Sequence, residues 1–353
     1  ENPFLTWSTF FRGFTMAMTI YDISKKAGVS IATVSRVLNG SENVRPSTRK
    51  KVMDVIDKYD YTPNAFARGM GLHSLKTIGI LCADSSDLFL AKAVYFLEQE
   101  LQANGYESLL CCTGYNPDIK KNYLNLILSK KVDSIILVGS HFIGFNEDEN
   151  QYIKDVSTQI PIMLLNASFD HPNVYSTLCD DYGTMFEAAT EMIQSGITDI
   201  LYLYDSKSYS GLKKLHGFCD AMKEHNIPGF EKLIHFYDGN IEHLNEVADF
   251  VARIATKGTS FHGIMTSDDS LAIGSIKYAQ KKGIRIPEEL SVMGYNNSML
   301  TNCCTPELTS VDNRLETQTH QLVQTLLGVL AGEEMPKKSI FSGKIIKRGT
   351  TLF

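Results

Sequence analysis

Apolar and polar positions along this chain follow two different spacings. In the first seventy-odd residues the apolar period is helical. Val52, Val55, Ile56 and Tyr59 recur at i, i+3, i+4 and i+7, with Pro46 placed at a first helical turn. Upstream, Thr19 can cap a short helix, IYDISKKA, which Gly28 ends, and Ser30 can cap a second, IATVSRVLN, which Asn39–Gly40 ends. Two short helices joined by a glycine-containing turn form a helix-turn-helix, and the third helix can close one small core with them. From Thr77 onward short apolar runs alternate with amphipathic segments. The runs TIGILCAD, ESLLCCTG, SIILVGS, IPIMLLN, DILYLYD, LIHFYDG, GIMTSDD and LSVMGYNN read as strands, and stretches such as LAKAVYFLEQELQANG and HLNEVADFVARIATKG read as helices. That alternation predicts an α/β body of doubly wound parallel sheets, and its length suits two of them.

The second helix carries more than a packing stripe. Advancing about 100° per residue gathers Thr33, Val34, Val37 and Leu38 on one side. Ala32, Ser35, Arg36 and Asn39 fall on the other, with Ile31 at the edge. A small, polar, basic face suits the floor of the DNA major groove: Arg36 can offer a bidentate fork to guanine, Ser35 can donate or accept, and Ile31 and Ala32 can meet thymine methyls. Asn64 can cap a further short helix, AFARGM, too short to be stable in isolation.

Charge supports that reading. The net charge of −6 hides an asymmetry: residues 18–76 carry ten Lys and Arg against five acids, so the remainder is strongly acidic. A basic head on an acidic body points to a polyanion partner for the head alone. The first 17 residues, ENPFLTWSTFFRGFTMA, open with an acid and are interrupted by Arg12, unlike a secretion signal. They read as an upstream extension, with Met18 the natural start. No apolar run reaches the roughly 20 residues of a membrane span. The seven cysteines lack disulfide-scaffold or zinc spacing, as in Cys111–Cys112 and Cys303–Cys304, which suggests a reducing, cytoplasmic setting.

Several strand-like runs end in polar groups: Asp84, Ser140, Asn166, Asp180–Asp181, Asp205, Asp268–Asp269 and Asn296–Asn297. In open parallel sheets ligands bind beyond the carboxyl ends of strands, and such groups suit a hydroxyl-rich ligand. Capping of the following helices is the plainer role for any one of them. No dinucleotide, Walker A, nucleophile-elbow or H-E-x-x-H motif is present, so nothing points to catalysis, a cofactor or a metal.

TIYDISKKAGVSIATVSRVLNG, STRKKV, YTPNAFARGM and KTIGIL resemble the lactose-repressor/galactose-repressor family of bacterial transcription regulators. DDYGTM, KLHGF, SDDSLAIGS, LSVMGYNN, TPELTSV and IKRGTT extend the resemblance to the C-terminus, and the head is most similar to the catabolite control protein A branch. The resemblance implies a homodimeric repressor on a near-palindromic operator, governed by a small effector, a sugar or sugar derivative, bound between two periplasmic-binding-protein-like subdomains. It implies a helix-turn-helix head over 18–63 and a hinge helix and linker over 64–76. The effector-binding subdomains are expected at 77–195 plus 312–335 and at 196–311 plus 336–353, with chain crossings near Gly196, Val311 and Pro336. By position, Ile31, Ala32, Ser35 and Arg36 read bases. Tyr21, Ser30, Thr33, Asn39 and Asn43 contact backbone or nearby bases. Asn64, Ala67 and Met70 belong to a hinge helix that enters the minor groove, Met70 standing where the family has a wedging leucine.

For the effector, KLHGF puts Lys214 where an arginine is usual, SDDSLAIG puts Asp268 where asparagine is usual, and GYNN puts Asn296 where aspartate is usual. Asp84, Phe89, Asn166 and Asp180 complete the expected set, with Phe89 able to stack on a sugar ring. The competing readings are a transport solute-binding protein, which would have no use for the basic head, an enzyme on a doubly wound fold, and a regulator answering to a protein co-repressor.

Overall fold

The computed structural model describes residues 18–38, 40–41, 43–61, 74–256 and 258–353. The chain divides into two compact units, 1–75 and 76–353.

In the first unit, α1 (Ile20–Ala27), α2 (Ile31–Leu38) and α3 (Pro46–Lys58) share one core of Ile23, Ala27, Val34, Val37, Val52, Ile56 and Tyr61. Each boundary has a local cause. Thr19 and Asp22 form a reciprocal capping box at α1, and Gly28 ends it at φ 65°, a conformation a side chain would strain. Ser30 Oγ accepts from Thr33 N at 3.2 Å and so caps α2. Arg49 of α3 reaches back to donate to the carbonyls of Val37, in the last turn of α2, and Ser41, just beyond it.

In the second unit, β1 (Thr77–Cys82), α4 (Leu88–Ala103), β2 (Glu107–Cys112), α5 (Pro117–Ser129), β3 (Ser134–Val138), α6 (Gln151–Ser157), β4 (Ile162–Leu165) and β5 (Val174–Cys179) build the first lobe. The second lobe follows: α7 (Asp181–Gln194), β6 (Ile200–Tyr204), α8 (Tyr209–Glu224), β7 (Ile234–Phe236), α9 (Leu244–Thr256), β8 (Gly263–Thr266), α10 (Asp269–Lys282), β9 (Ser291–Tyr295) and β10 (Thr309–Asp312). The chain then returns to the first lobe with α11 (Leu315–Leu330) and β11 (Lys338–Phe341), and ends in the second with β12 (Lys344–Ile346). The sheets run β11-β5-β4-β3-β1-β2 and β12-β10-β9-β8-β6-β7. Pairing is parallel throughout except for β12 against β10. The central strands β1, β3, β4, β8 and β9 are buried almost end to end, as expected where helices cover both faces of a parallel sheet.

The crossings differ from expectation at two of three points. Met185, Ala188, Ala189 and Met192 of α7 pack with Ile200 and Tyr202 of the second sheet, so the first crossing falls at Asp180 and not at Gly196. The last falls between Phe341 and Lys344, because Lys338–Phe341 still pairs in register with Ser176–Cys179; Pro336 lies before that strand. Gly196 and Pro336 mark the ends of elements, and a breaker residue carries no information about which core the next element joins. The middle crossing follows Asp312, where Leu322, Val323 and Leu326 of α11 turn into the first lobe's core.

Candidate functional site

Both sheets have the strand order that reverses beside their first strand: β2-β1-β3 in one and β7-β6-β8 in the other. At such a switch point the loops after neighbouring strands splay to opposite faces and leave a crevice. The two crevices join in a single cleft. Its larger chamber, of about 830 Å³, is lined by Asp84 and Asp87 beyond β1, Tyr115 beyond β2, His141 beyond β3, and Asp205 and Asp268 beyond β6 and β8. A smaller recess of about 80 Å³ continues inward past Phe89, Asn166, Lys214 and Asn296. Six of the seven effector residues expected from sequence thus line the cleft, Asp84 and Asp268 in the chamber and Phe89, Asn166, Lys214 and Asn296 in the recess. Asp180 does not: it is exposed and accepts from Gly183 N at 3.0 Å as the cap of α7.

The side chains are held in place by bonds that leave few of them free to turn. Asp268 accepts from Ser270 N at 2.7 Å and from Asn296 Nδ2 at 2.8 Å, and Asn296 Oδ1 in turn accepts from Asn313 Nδ2 at 3.0 Å. Asn296 sits at φ 99° and Asn166 at φ 64°, left-handed conformations that asparagine tolerates better than most residues. Lys214 points away from the open chamber. Its Nζ donates to the Ser267 carbonyl at 3.0 Å and lies 3.9 Å from the centre of the Tyr295 ring. Tyr295 and Ser210 both donate to the buried Asp181, at 2.7 and 2.6 Å, a polar network beneath the cleft floor. Across the lobes, Ser140 Oγ donates to Ser208 Oγ at 2.8 Å.

Burial tunes the ionisable groups. It raises the carboxyls of Asp181 and Asp268 and pushes Asp87 up to about 6, against the opposing bond from Leu90 N and with the charges of Asp268 and Asp205 adding to it. It takes His141 down to about 4, so that ring is neutral, and raises the Tyr115 hydroxyl to about 12. Among the described residues no group of three or more His, Cys, Asp or Glu could hold a metal ion.

Asp87, Tyr115, His141, Phe145 and Ser208 were not selected from sequence. Asp87 lies three residues past the strand-end group Asp84 and caps α4 through Leu90 N at 2.8 Å, a pattern legible as a cap. The others sit in loops with no local signature.

In the head, Tyr21 is 68% exposed and Ile31 39%, and Ser30, Ala32, Arg36 and Asn43 are also exposed. Thr33 and Ser35 are half-buried, and Thr33 Oγ1 lies 2.9 Å from Ser30 Oγ. One edge of α2 therefore presents isoleucine, alanine and arginine to solvent while Val34 and Val37 anchor it. Asn39, Asn64, Ala67 and Met70 lie outside the described residues.

A helix-turn-helix head with a two-lobed, ligand-cleft body defines a DNA-binding transcriptional regulator. The model for bacterial regulatory proteins of the lacI family matches residues 19–64, and that for a periplasmic binding protein-like domain matches 189–351. An HTH-type transcriptional regulator of Lachnoclostridium phytofermentans is 49% identical over 336 residues, 95% of this chain and 100% of that one. Catabolite control protein A of Priestia megaterium is 32% identical over 303 residues, 84% of this chain and 87% of that one. The chain belongs to the LacI family. In fold it is similar to the lac repressor dimer bound to operator and the anti-inducer ONPF, with TM-score 0.85 at 20% identity over 95% of this chain and 99% of that one. It is also similar to the transcriptional regulator CelR in complex with cellobiose, with TM-score 0.68 at 20% identity over 94% and 99%. These are regulators rather than enzymes, and no helix among the described residues is long and apolar enough to cross a membrane.

Proposed function

We propose that the protein is a repressor that binds a near-palindromic operator as a homodimer in the cytoplasm and is released or recruited by a sugar or sugar derivative in the cleft. The observation that carries the effector half is the meeting of two switch-point crevices in one cavity of about 830 Å³ lined by hydrogen-bonding side chains from both lobes. A ligand touching both lobes changes their relative pose only if it binds one pose better than the other; the sign of that difference decides inducer or co-repressor. The DNA half rests on the face of α2 where Ile31, Ala32 and Arg36 are exposed, with these three and the half-buried Ser35 as base readers and Tyr21, Ser30, Thr33, Asn39 and Asn43 as supporting contacts. In the hinge, Asn64, Ala67 and Met70 are assigned the minor groove. We assign 77–179 with 313–342 to one lobe and 180–312 with 343–353 to the other, a division that the strand pairing and core packing support.

The experiment is selection of genomic fragments by purified protein, followed by gel-shift titration against scrambled competitor at several salt concentrations, with and without sugars. Preference for a dyad-symmetric fragment, with affinity falling linearly on a log–log salt plot, supports the proposal. Equal binding to all fragments removes it.

A further inference from the structure

We propose that the ligand of the cleft is an amine-bearing saccharide, held through its ammonium group as well as its hydroxyls. The inference rests on the effector reading above and names the chemistry of that site. Two aspartates of the first lobe, Asp84 and Asp87, and two of the second, Asp205 and Asp268, face one chamber, with Glu242 at its edge. Against these five carboxyl groups the chamber lining holds one lysine, Lys207, whose Nζ lies 4.8 Å from the centre of the Phe236 ring; Lys214 lines the inner recess and donates to the Ser267 carbonyl. His141 is uncharged near neutrality. The cavity is thus anionic, and carboxylates from opposite lobes act on one another: Asp87 is held up in part by Asp268 and Asp205.

Hydroxyls of a neutral sugar would satisfy the carboxylate lone pairs but would leave the charge in place. A phosphorylated or carboxylated ligand would add to it. One ammonium between the lobes offsets it, with charge-assisted hydrogen bonds that are stronger than neutral ones.

Two further features fit. Tyr115 and Phe145 line the same chamber and are 51% and 67% exposed. Aromatic faces near carboxylates attract organic cations, and Tyr115, with its hydroxyl raised to about 12, remains a neutral ring. Ser206, Ser208 and Asn240 also line the chamber. Ser208 Oγ already accepts from Ser140 and Ser206, which leaves its own hydrogen and the Asn240 Nδ2 hydrogens to meet hydroxyls, partners that suit a polyol more than a plain alkylamine. The chamber's volume lies in the upper part of the range for small-molecule sites, about 300–1,000 Å³, with room for more than one sugar ring.

The test is isothermal titration of the full-length protein at pH 7.5 with three matched sets: glucosamine, galactosamine and a glucosamine disaccharide, each beside its N-acetylated and hydroxyl counterparts, together with glucose 6-phosphate. At least one free amine should bind about tenfold or more tightly than both of its neutral counterparts, the weight of one charged hydrogen bond. The double variant Asp87→Asn, Asp205→Asn should lose that ratio, and the sugar phosphate should give no heat. Neutral sugars binding as well as amines, or the phosphate competing, would overturn the cationic ligand while leaving a sugar effector in the cleft. No binding by any probe would also overturn it. In that case operator release by a fractionated metabolite extract, abolished by Asp268→Ala, would show that the effector reading itself survives; absence of release would show that both fail.

Discussion

Arg49→Ala is the most informative single change in the head. Its guanidinium bridges from α3 to the far end of α2, donating to the Val37 and Ser41 carbonyls. The bond to Val37 is long, 3.5 Å, and counts for little. That to Ser41 is a charged bond in a half-buried position, so its loss costs about 1.5–2 kcal/mol, the lower part of the range for charged donors. A domain of roughly 45 residues holds only about 2–7 kcal/mol in all, and seven buried side chains supply this core. The loss is therefore a large share of the total and corresponds to about 10–30-fold in the opening equilibrium. Because the bond ties down the C-terminus of the reading helix, the effect should be concentrated there. Native-state hydrogen exchange of the α2 amides should accelerate by about that factor, with β3 and β8 of the body as unchanged internal references, and operator affinity should fall more at 37 °C than at 15 °C. Unaltered α2 exchange would refute the assignment of Arg49 as the clamp on this helix.

Other expectations concern single sites. Arg36→Ala should cost about 1–3 kcal/mol of specific binding and relax preference at one base pair, measured by competition against single-base operator variants; an equal loss on random DNA would contradict base reading. Gly217→Ala should lower the melting temperature of the body: alanine gains about 1 kcal/mol of helix propensity, but its Cβ would lie 2.3 Å from the Tyr182 carbonyl oxygen, a backbone atom that cannot give. A rise in melting temperature would show that α7 and α8 can separate at no cost. Asp87 is raised to about 6 by burial, so between the ordinary carboxylate range and that value the folded state binds more protons than the unfolded chain. Stability from this group then declines as pH rises across that window. Asp87→Asn, which keeps a cap acceptor, should raise the melting temperature at pH 7.5 and leave it unchanged at pH 4. Tyr295→Phe removes one of two donors to buried Asp181 and should destabilise the body by about 1–3 kcal/mol in denaturant titration; no change would mean that water replaces the donor.

Much of this was legible before folding, and the reasons are local. Helix boundaries in the head follow from Thr19, Gly28, Ser30 and Pro46 acting on their own neighbours within four residues. The reading face of α2 follows from a period that no distant contact alters. The central strands announced themselves because a strand covered on both faces must be apolar throughout. By contrast β5, β10, β11 and β12, with sequences VYSTLC, TSVD, KSIF and KII, were not among the eight runs, since what makes them strands is the partner beside them.

The sequence by itself determined the head helices and the eight apolar strands, the basic head with its reading helix, and the carboxylates and amides at the strand ends. Only the tertiary structure decided that α7 packs with the second lobe, that Asp180 caps a helix while Asp87, Tyr115 and His141 enter the cleft, and that Lys214 serves the floor and not the chamber. Local propensity and capping act over a few residues and can be read in order along the chain. Which strand ends face each other across a cleft depends on strand order and lobe crossings, which are set by the summed burial of many side chains distant in sequence.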